Sequence, residues 1–249
     1  LAYLGSVELE RNATDIAAAG SRVVVALHDS QGDVGGLETG GAAILDASDP
    51  ASMVAVGTHL DESALAFDAA GGIAFVAAGV AGIRALDTSA LRPIGVVGSA
   101  VFGAAAQGLT VHGDTVTVAA DDLGLRIVDV GDPERPREVG SLDTPGRAMA
   151  VAANGRLAFV ADGNGGLRVI DVLDASAPRE VGSWTLGPAM DVDVAGSIAC
   201  VVGWSGLPQR PEMSVIDVGD PSAPVRVGRV ETASYHLFRV RVSGTMAYV

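Results

Sequence analysis

The chain contains no lysine. All 16 of its basic residues are arginine, set against 30 acidic residues, and the formal charge is −14. A phosphate backbone needs a basic footprint, so this balance argues against a nucleic-acid partner and against an anionic membrane surface. Aromatic residues are scarce at 4%, so a core must be assembled from Val, Ala, Leu and Ile. Cysteine is limited to Cys200, inside the apolar run SIACVV. It reads as a buried structural thiol, because no base stands beside it to make a nucleophile. No apolar run reaches the length of a membrane-spanning helix, so no membrane insertion is expected. The motifs G-x-S-x-G, P-loop, dinucleotide fingerprint and CxxC are all missing. No catalytic residue, metal or cofactor is therefore assigned. The chain opens at Leu1 without Met or a signal peptide, which reads as processing or trimming of the start.

What is present is a repeat. An Asp closes an apolar run five times, at Asp46, Asp87, Asp129, Asp171 and Asp217, with spacings of 41, 42, 42 and 46 residues. Eleven residues after each stands a glycine: Gly57, Gly98, Gly140, Gly182 and Gly228. Such a period means stacked or radially repeated units. In the clearest unit, residues 136–178, four short apolar runs are divided by turn signals such as Thr144-Pro145-Gly146 and Asn154-Gly155. That pattern predicts four antiparallel strands with no helix. Asp-Pro pairs at Asp49-Pro50, Asp132-Pro133 and Asp220-Pro221 lie three residues past the anchor. Asp accepts a hydrogen bond from the backbone two residues on, and Pro presets φ for the turn.

One strand per unit is built of small residues: Asp15 to Ala19, Ala64 to Ala69, Ala104 to Val111, Ala148 to Ala153, Ala189 to Ala195 and Leu237 to Val242. Small side chains fit where blades converge on an axis. The expected fold is therefore an all-β β-propeller of four-stranded antiparallel blades, with a solenoid as its rival. The whole of 1–249 reads as a single domain. Ala158 to Pro178, Gly124 to Gly140 and Val215 to Gly228 carry a pattern that resembles the LVIVD-repeat family. That resemblance implies a β-propeller of bacterial or archaeal surface or secreted proteins, and it implies no activity.

Six small strands are counted against five Asp-terminated third strands. Leu4-Gly5-Ser6-Val7 matches Val139-Gly140-Ser141-Leu142, and Met246 to Val249 matches Leu157 to Val160. The simplest closure is six blades, with the N-terminal strand joining the two C-terminal ones. The alternative is seven blades, with one beyond the end of the sequence.

Loops held by a rigid scaffold are where function concentrates. Two loops after a second strand are enlarged: one from His28, Asp29 and Asp33 to Gly41, the other from Gly203 and Trp204 to Glu212. Tyr235 and His236 lead into the sixth small strand on the same expected face. Asp15, Asp191 and Arg239 hold equivalent positions on three small strands, where they would charge a central channel. These nine residues (His28, Asp29, Asp33, Trp204, Tyr235, His236, Asp15, Asp191 and Arg239) are the predicted ligand-binding set. His28, Asp29 and Asp33 do not match a recognised zinc or iron spacing. Asp162 to Gly166 lacks the distal Glu of an EF-hand and reads as a β-turn. Arg84, Arg126 and Arg168 recur in phase, which predicts a structural ion pair to Asp121 or Asp162.

The expected function is a non-enzymatic binding module, extracellular or at the cell surface, for a protein or glycan. Two alternatives are open. One is a metal-dependent or other enzyme with His28, Asp29, Asp191, His236 and Arg239 at the channel mouth. The other is a structural subunit of a surface layer or filament.

Overall fold

The computed structural model describes residues 12–19, 21–28, 40–59, 64–88, 96–185, 187–205, 210–231, 239–244 and 246–249. Every element among them is a strand. The strands β1 (Asn12–Ala19), β2 (Arg22–His28), β3 (Gly40–Asp46) and β4 (Val54–His59) form one sheet in chain order. So do β5 (Ala66–Ala70), β6 (Ile73–Ala77), β7 (Ile83–Asp87) and β8 (Val96–Ala100). A third sheet holds β9 (Gly108–His112), β10 (Thr115–Ala119), β11 (Leu125–Asp129) and β12 (Arg137–Leu142). The fourth holds β13 (Ala150–Asn154), β14 (Leu157–Ala161), β15 (Leu167–Asp171) and β16 (Arg179–Trp184). The fifth holds β17 (Ala189–Ala195), β18 (Ile198–Ser205), β19 (Arg210–Asp217) and β20 (Val225–Glu231). A two-stranded sheet, β21 (Arg241–Ser243) and β22 (Met246–Tyr248), follows.

The chain divides into two compact units. One is drawn from residues 1–115 and 129–137, the other from 116–128 and 138–249. In the first, β1 lies beside β5 and β5 beside β9; in the second, β13 lies beside β17 and β17 beside β21. Within each unit, small-residue first strands thus meet one another. This is the construction of a β-propeller, and the sheets are its blades.

The repeat in the sequence is a repeat of turn chemistry. Backbone N–H groups two residues on donate to the anchor carboxylates, Ser48 to Asp46 at 3.0 Å, Gly131 to Asp129 at 3.0 Å, Leu173 to Asp171 at 3.1 Å and Gly219 to Asp217 at 2.9 Å. Asp49, Asp132, Asp174 and Asp220 accept in the same way from the residue two places on. The Asp-x-x-Asp-Pro signal is therefore two Asx turns in succession. A bulge then falls at the same place in the third–fourth strand pairing of four sheets, between Ile44/Leu45, Ala85/Leu86, Val169/Ile170 and Val215/Ile216. The extra residue turns Val56 and Val181 onto the core.

The cores are made of the residues the composition required. In the first unit Val24, Ile44, Phe67, Ala74 and Leu86 pack together. In the second, Phe159, Leu167, Val169, Val201 and Ile216 do so. Each fully buried large aliphatic or aromatic side chain contributes about 1.5–3 kcal/mol. Cys200 is buried, and desolvation, reinforced by the charge of Asp193, pushes its thiol above the ordinary range. This accords with an inert thiol.

The recurring arginines pair as a class but not always with the expected acid. Arg168 Nε lies 3.4 Å from Asp162 and its NH1 3.4 Å from Glu180. Arg126 instead reaches Glu138 at 3.3 Å and Asp143 at 3.4 Å. The reason is register. Ala120, not Asp121, holds the place of Asp162, as their matching turn bonds to Gly124 and Gly166 show. Asp121 sits one residue further on, at φ +50°, where Gly163 sits at φ +51°. There it takes a bidentate pair from Arg147 at 2.5 and 2.6 Å.

Candidate functional site

The fifth sheet breaks the repeat, and a cleft forms at the break. The third strands β7, β11 and β15 are entered through a glycine at positive φ, Gly82, Gly124 and Gly166, followed by Ile or Leu and then by arginine. In β19 the same three places hold Glu212, Met213 and Ser214, as the pairings Gly203↔Glu212 and Val201↔Ser214 fix. The fourth strand departs too. Arg226 stands opposite Ile216, where Glu180 stands opposite Ile170. The acid and the base of the repeated ion pair have thus changed strands.

Burial changes with them. Glu138 and Glu180 are 38% and 35% exposed, whereas Glu212 is 2% exposed. A carboxylate removed from water needs charge and hydrogen bonds around it. Ser214 Oγ donates to Glu212 Oε1 at 2.6 Å, and Arg226 NH1 donates to the same oxygen at 3.0 Å. Arg229 NH1 stands 3.9 Å from Oε2 and pairs with Glu231 at 3.2 Å. The Arg226 guanidinium also lies 5.8 Å from the centroid of the Trp184 ring, within cation–π range.

Glu212 and Ser214 line a cleft together with Trp184, Trp204, Pro188, Val201 and Gly203. Its free space of about 20 Å³ suits one small group. Both tryptophans of the chain are here, each half-buried. Pro188 O accepts from Trp204 N at 3.0 Å, and a Cβ on Gly203 would fall 2.1 Å from that same oxygen. Glycine at 203 is therefore what allows β18 to pass so close to the start of β17.

Of the nine residues predicted from sequence, Trp204 lines this cleft. His28 ends β2, but its side chain lies outside the described residues, as do Asp29, Asp33, Tyr235 and His236. Asp15 belongs to the first unit and Asp191 and Arg239 to the second. Asp15 accepts from Ile16 N at 3.0 Å and from Phe67 N, in β5, at 3.1 Å. Asp191 is 2% exposed and accepts from Val240 N at 2.7 Å, with Arg241 NH1 at 3.4 Å. Burial pushes the Asp191 carboxyl above the usual carboxylate range, against the opposing pull of Arg239, the Val240 N–H and Arg241. Glu212, Trp184 and Arg226 escaped the sequence reading, although the change from G-L-R-V-I-D to E-M-S-V-I-D was visible. Among the described residues no three His, Cys, Asp or Glu side chains cluster to hold a metal ion. No helix among them is long and apolar enough to cross a membrane.

Comparison with known proteins bears on the fold. The computationally designed Ika8 protein matches with a TM-score of 0.66 at 11% identity, over 94% of this chain and 66% of that one. Sqt1 from Chaetomium thermophilum matches with a TM-score of 0.66 at 18% identity, over 90% and 63%. A crystal structure of the same protein bound to the N-terminus of the ribosomal protein L10 gives 0.65 at 16%, over 89% and 65%. The chain thus spans just under two thirds of the length of these structures. No curated protein matches its sequence. The family model described as LVIVD repeat matches residues 37–61, 103–144, 145–185 and 186–232. These stretches, which include the aspartate turns and the altered fifth sheet, make up more than half of the sequence, and the chain belongs to the LVIVD-repeat family.

Proposed function

We propose that the chain is a non-enzymatic interaction module, extracellular or at the cell surface, whose second unit receives a segment of a partner protein at the cleft between Trp184 and Trp204. The observation that carries this reading is the meeting of both tryptophans, Trp184 of the fourth sheet and Trp204 of the fifth, with the buried carboxylate of Glu212 where the fifth sheet departs from the repeat. Stability alone does not favour that change, since a buried ion pair costs more in desolvation than the exposed one it replaces. Half-buried aromatic rings beside a desolvated charge pair are the usual anchors of protein recognition. The likeness to Sqt1 in its complex with the N-terminus of L10 is consistent with a peptide-like partner. The surface location rests on the family resemblance. The reading of residues 1–249 as one domain rests on the repeat of the anchor aspartates, and that of six blades on the six small-residue strands set against five Asp-terminated ones.

Selection of a displayed library of random linear peptides on the immobilised chain tests the binding role. Enriched peptides are expected to alter tryptophan emission, because both tryptophans line the cleft. No enrichment over an unrelated propeller, or enriched peptides that leave the emission unchanged, overturns it. A glycan ligand would show as emission changes with oligosaccharides in place of peptides. Labelling of intact source cells with a membrane-impermeant reagent tests the location.

A further inference from the structure

We propose that the face of the fifth sheet carrying Met213, Val215, Val227 and Gly228 is an acceptor for a strand-and-turn segment of a partner protein. The segment is a β-strand ending in Ile or Val and followed by Asp-Val-x-Asp-Ala or Asp-Val-x-Asp-Pro, folded as an Asx turn. This surface is separate from the tryptophan cleft, and the inference does not depend on that cleft.

The chain itself shows what such a face receives. Ile170, Val172 and Ala175 of the fourth sheet pack with Leu125, Ile127 and Val139 of the third. Ile216 and Val218 of the fifth sheet pack in the same way with Leu167, Val169 and Val181 of the fourth. Each covering segment is the end of a third strand and the start of its turn. The turn then seats a carbonyl over the fourth-strand glycine of the sheet before it. Pro133 O stands over Gly98, Ala175 O over Gly140 and Pro221 O over Gly182, each from the residue four places past an anchor aspartate.

On the fifth sheet the equivalent places face solvent. Register puts Met213 and Val215 where the fourth sheet has Leu167 and Val169, and sets Gly228 opposite Val215 as Gly182 is opposite Val169. Leu167 and Val169 are 0% exposed, whereas Met213 and Val215 are half-buried. Val181 packs on its core, whereas Val227, one residue before the glycine as Val181 is, stands 59% exposed. A Cβ on Gly228 would meet only Val215 of its own sheet, at 3.6 Å. Val240, with Val242 of β21 and Ala247 of β22, covers the inner part of this face. The part left to solvent is the one that a third strand and its turn cover elsewhere. Third strands pair with second strands in all five four-stranded sheets. The segment therefore adds beside β22, whose Met246 and Tyr248 are 56% and 49% exposed. In strand addition of this kind the backbone ladder supplies affinity and the alternate side chains supply selectivity. Burial of Val227, Met213 and Val215 adds an apolar gain. In a second copy the matching segments are already strands of their own sheets, so the occupant is assigned to a partner.

The test uses the intact chain and a fluorescein-labelled peptide with the sequence of residues 166–178, which holds strand, anchor and turn. Fluorescence anisotropy is expected to rise saturably in the micromolar range, and a peptide of the same composition in scrambled order should not bind. Gly228→Ala is the decisive variant. Its Cβ makes an ordinary contact in the free chain, but it occupies the place where the incoming carbonyl belongs. It is expected to weaken binding by about tenfold or more with the melting temperature unchanged. Val227→Asp, at an exposed site, should weaken it comparably. No binding, equal binding of both peptides, or binding unaffected by Gly228→Ala overturns the proposal. A melting temperature that falls in Gly228→Ala as far as in Gly140→Ala would mean that the chain fills this face itself. A dimer in sedimentation equilibrium that Gly228→Ala dissociates would mean that a second copy does. Either result also overturns the assignment to a partner.

Discussion

The first strand of a sheet is an edge strand, and its N–H groups face the preceding first strand with no ladder to join. Aspartate supplies the missing acceptor. Asp15 reaches Phe67 N, Asp68 reaches Val111 N at 2.7 Å, Asp191 reaches Val240 N at 2.7 Å and Asp193 reaches Val242 N at 2.6 Å. Each carboxylate thus bridges two first strands. Asp68→Ala is expected to cost about 1–3 kcal/mol, the penalty of leaving partly buried donors unmet. Asp68→Asn should recover part of this, since an amide oxygen still accepts. Urea titration followed by circular dichroism distinguishes the two, and equal losses would argue against the bridging role. Asp191 adds a pH signature. Its native carboxyl is held above the ordinary range chiefly by burial, so in the interval between the ordinary and the raised value the folded chain holds the proton more tightly. Stability from this group is fully present below the ordinary value and falls as pH rises through that interval. The turn carboxylates Asp46, Asp129, Asp171 and Asp220 act in the opposite sense. Hydrogen bonds from their turns hold them below the ordinary value, so their contribution is lost as pH falls. In Asp191→Asn the melting temperature should lose its decline on the high side of the ordinary carboxylate value and keep its acid limb. An unchanged profile would contradict this assignment.

At the scale of the element, the recurrent glycine of the fourth strand has a steric cause. A Cβ on Gly98 would stand 2.1 Å from Pro133 O, on Gly140 1.8 Å from Ala175 O, and on Gly182 2.0 Å from Pro221 O. In each case the obstacle is the Asx turn of the sheet that follows. Gly228 is different. Its nearest heavy atom would be Val215 Cβ, at an ordinary 3.6 Å. Gly140→Ala is therefore expected to destabilise by about 3 kcal/mol or more, as overpacking against backbone does. Gly228→Ala should stay within about 0.5 kcal/mol of the parent. Paired thermal melts check this, and a neutral Gly140→Ala would remove the steric account. The example also shows what the sequence could and could not convey. The period, the four strands and the turn aspartates were legible because each rests on local rules, namely β-alternation and Asx chemistry. The reason for the glycine was not, because the clashing carbonyl lies about 35 residues away in the chain. The site was half legible for the same reason. Trp204 drew notice as a rare residue in a long loop, whereas Glu212 and Arg226 matter only through cross-strand register, which sequence spacing does not display.

At the scale of the whole molecule, charge is the dominant unspent quantity. Thirty acidic residues face 16 arginines, and a share of those arginines is engaged in pairs within single sheets, such as Arg22 with Asp46 and Arg137 with Asp129. The excess of like charge repels itself, and folding brings it closer together than the unfolded chain does. Exposed ion pairs offset little of this, being worth about 0–1 kcal/mol each. Salt therefore acts with two signs. It weakens the exposed pairs, and it screens the general repulsion once the Debye length drops from about 30 Å at 0.01 M to a few ångströms near 1 M. With a net of −14 the second effect is the larger. The melting temperature should rise from low to moderate sodium chloride and then level off as screening saturates. Potassium chloride should do the same, because the effect is one of ionic strength rather than of a bound ion. A melting temperature that falls with either salt would mean that the ion pairs outweigh the excess charge. It would also transfer the source of stability from the apolar cores to the arginine network.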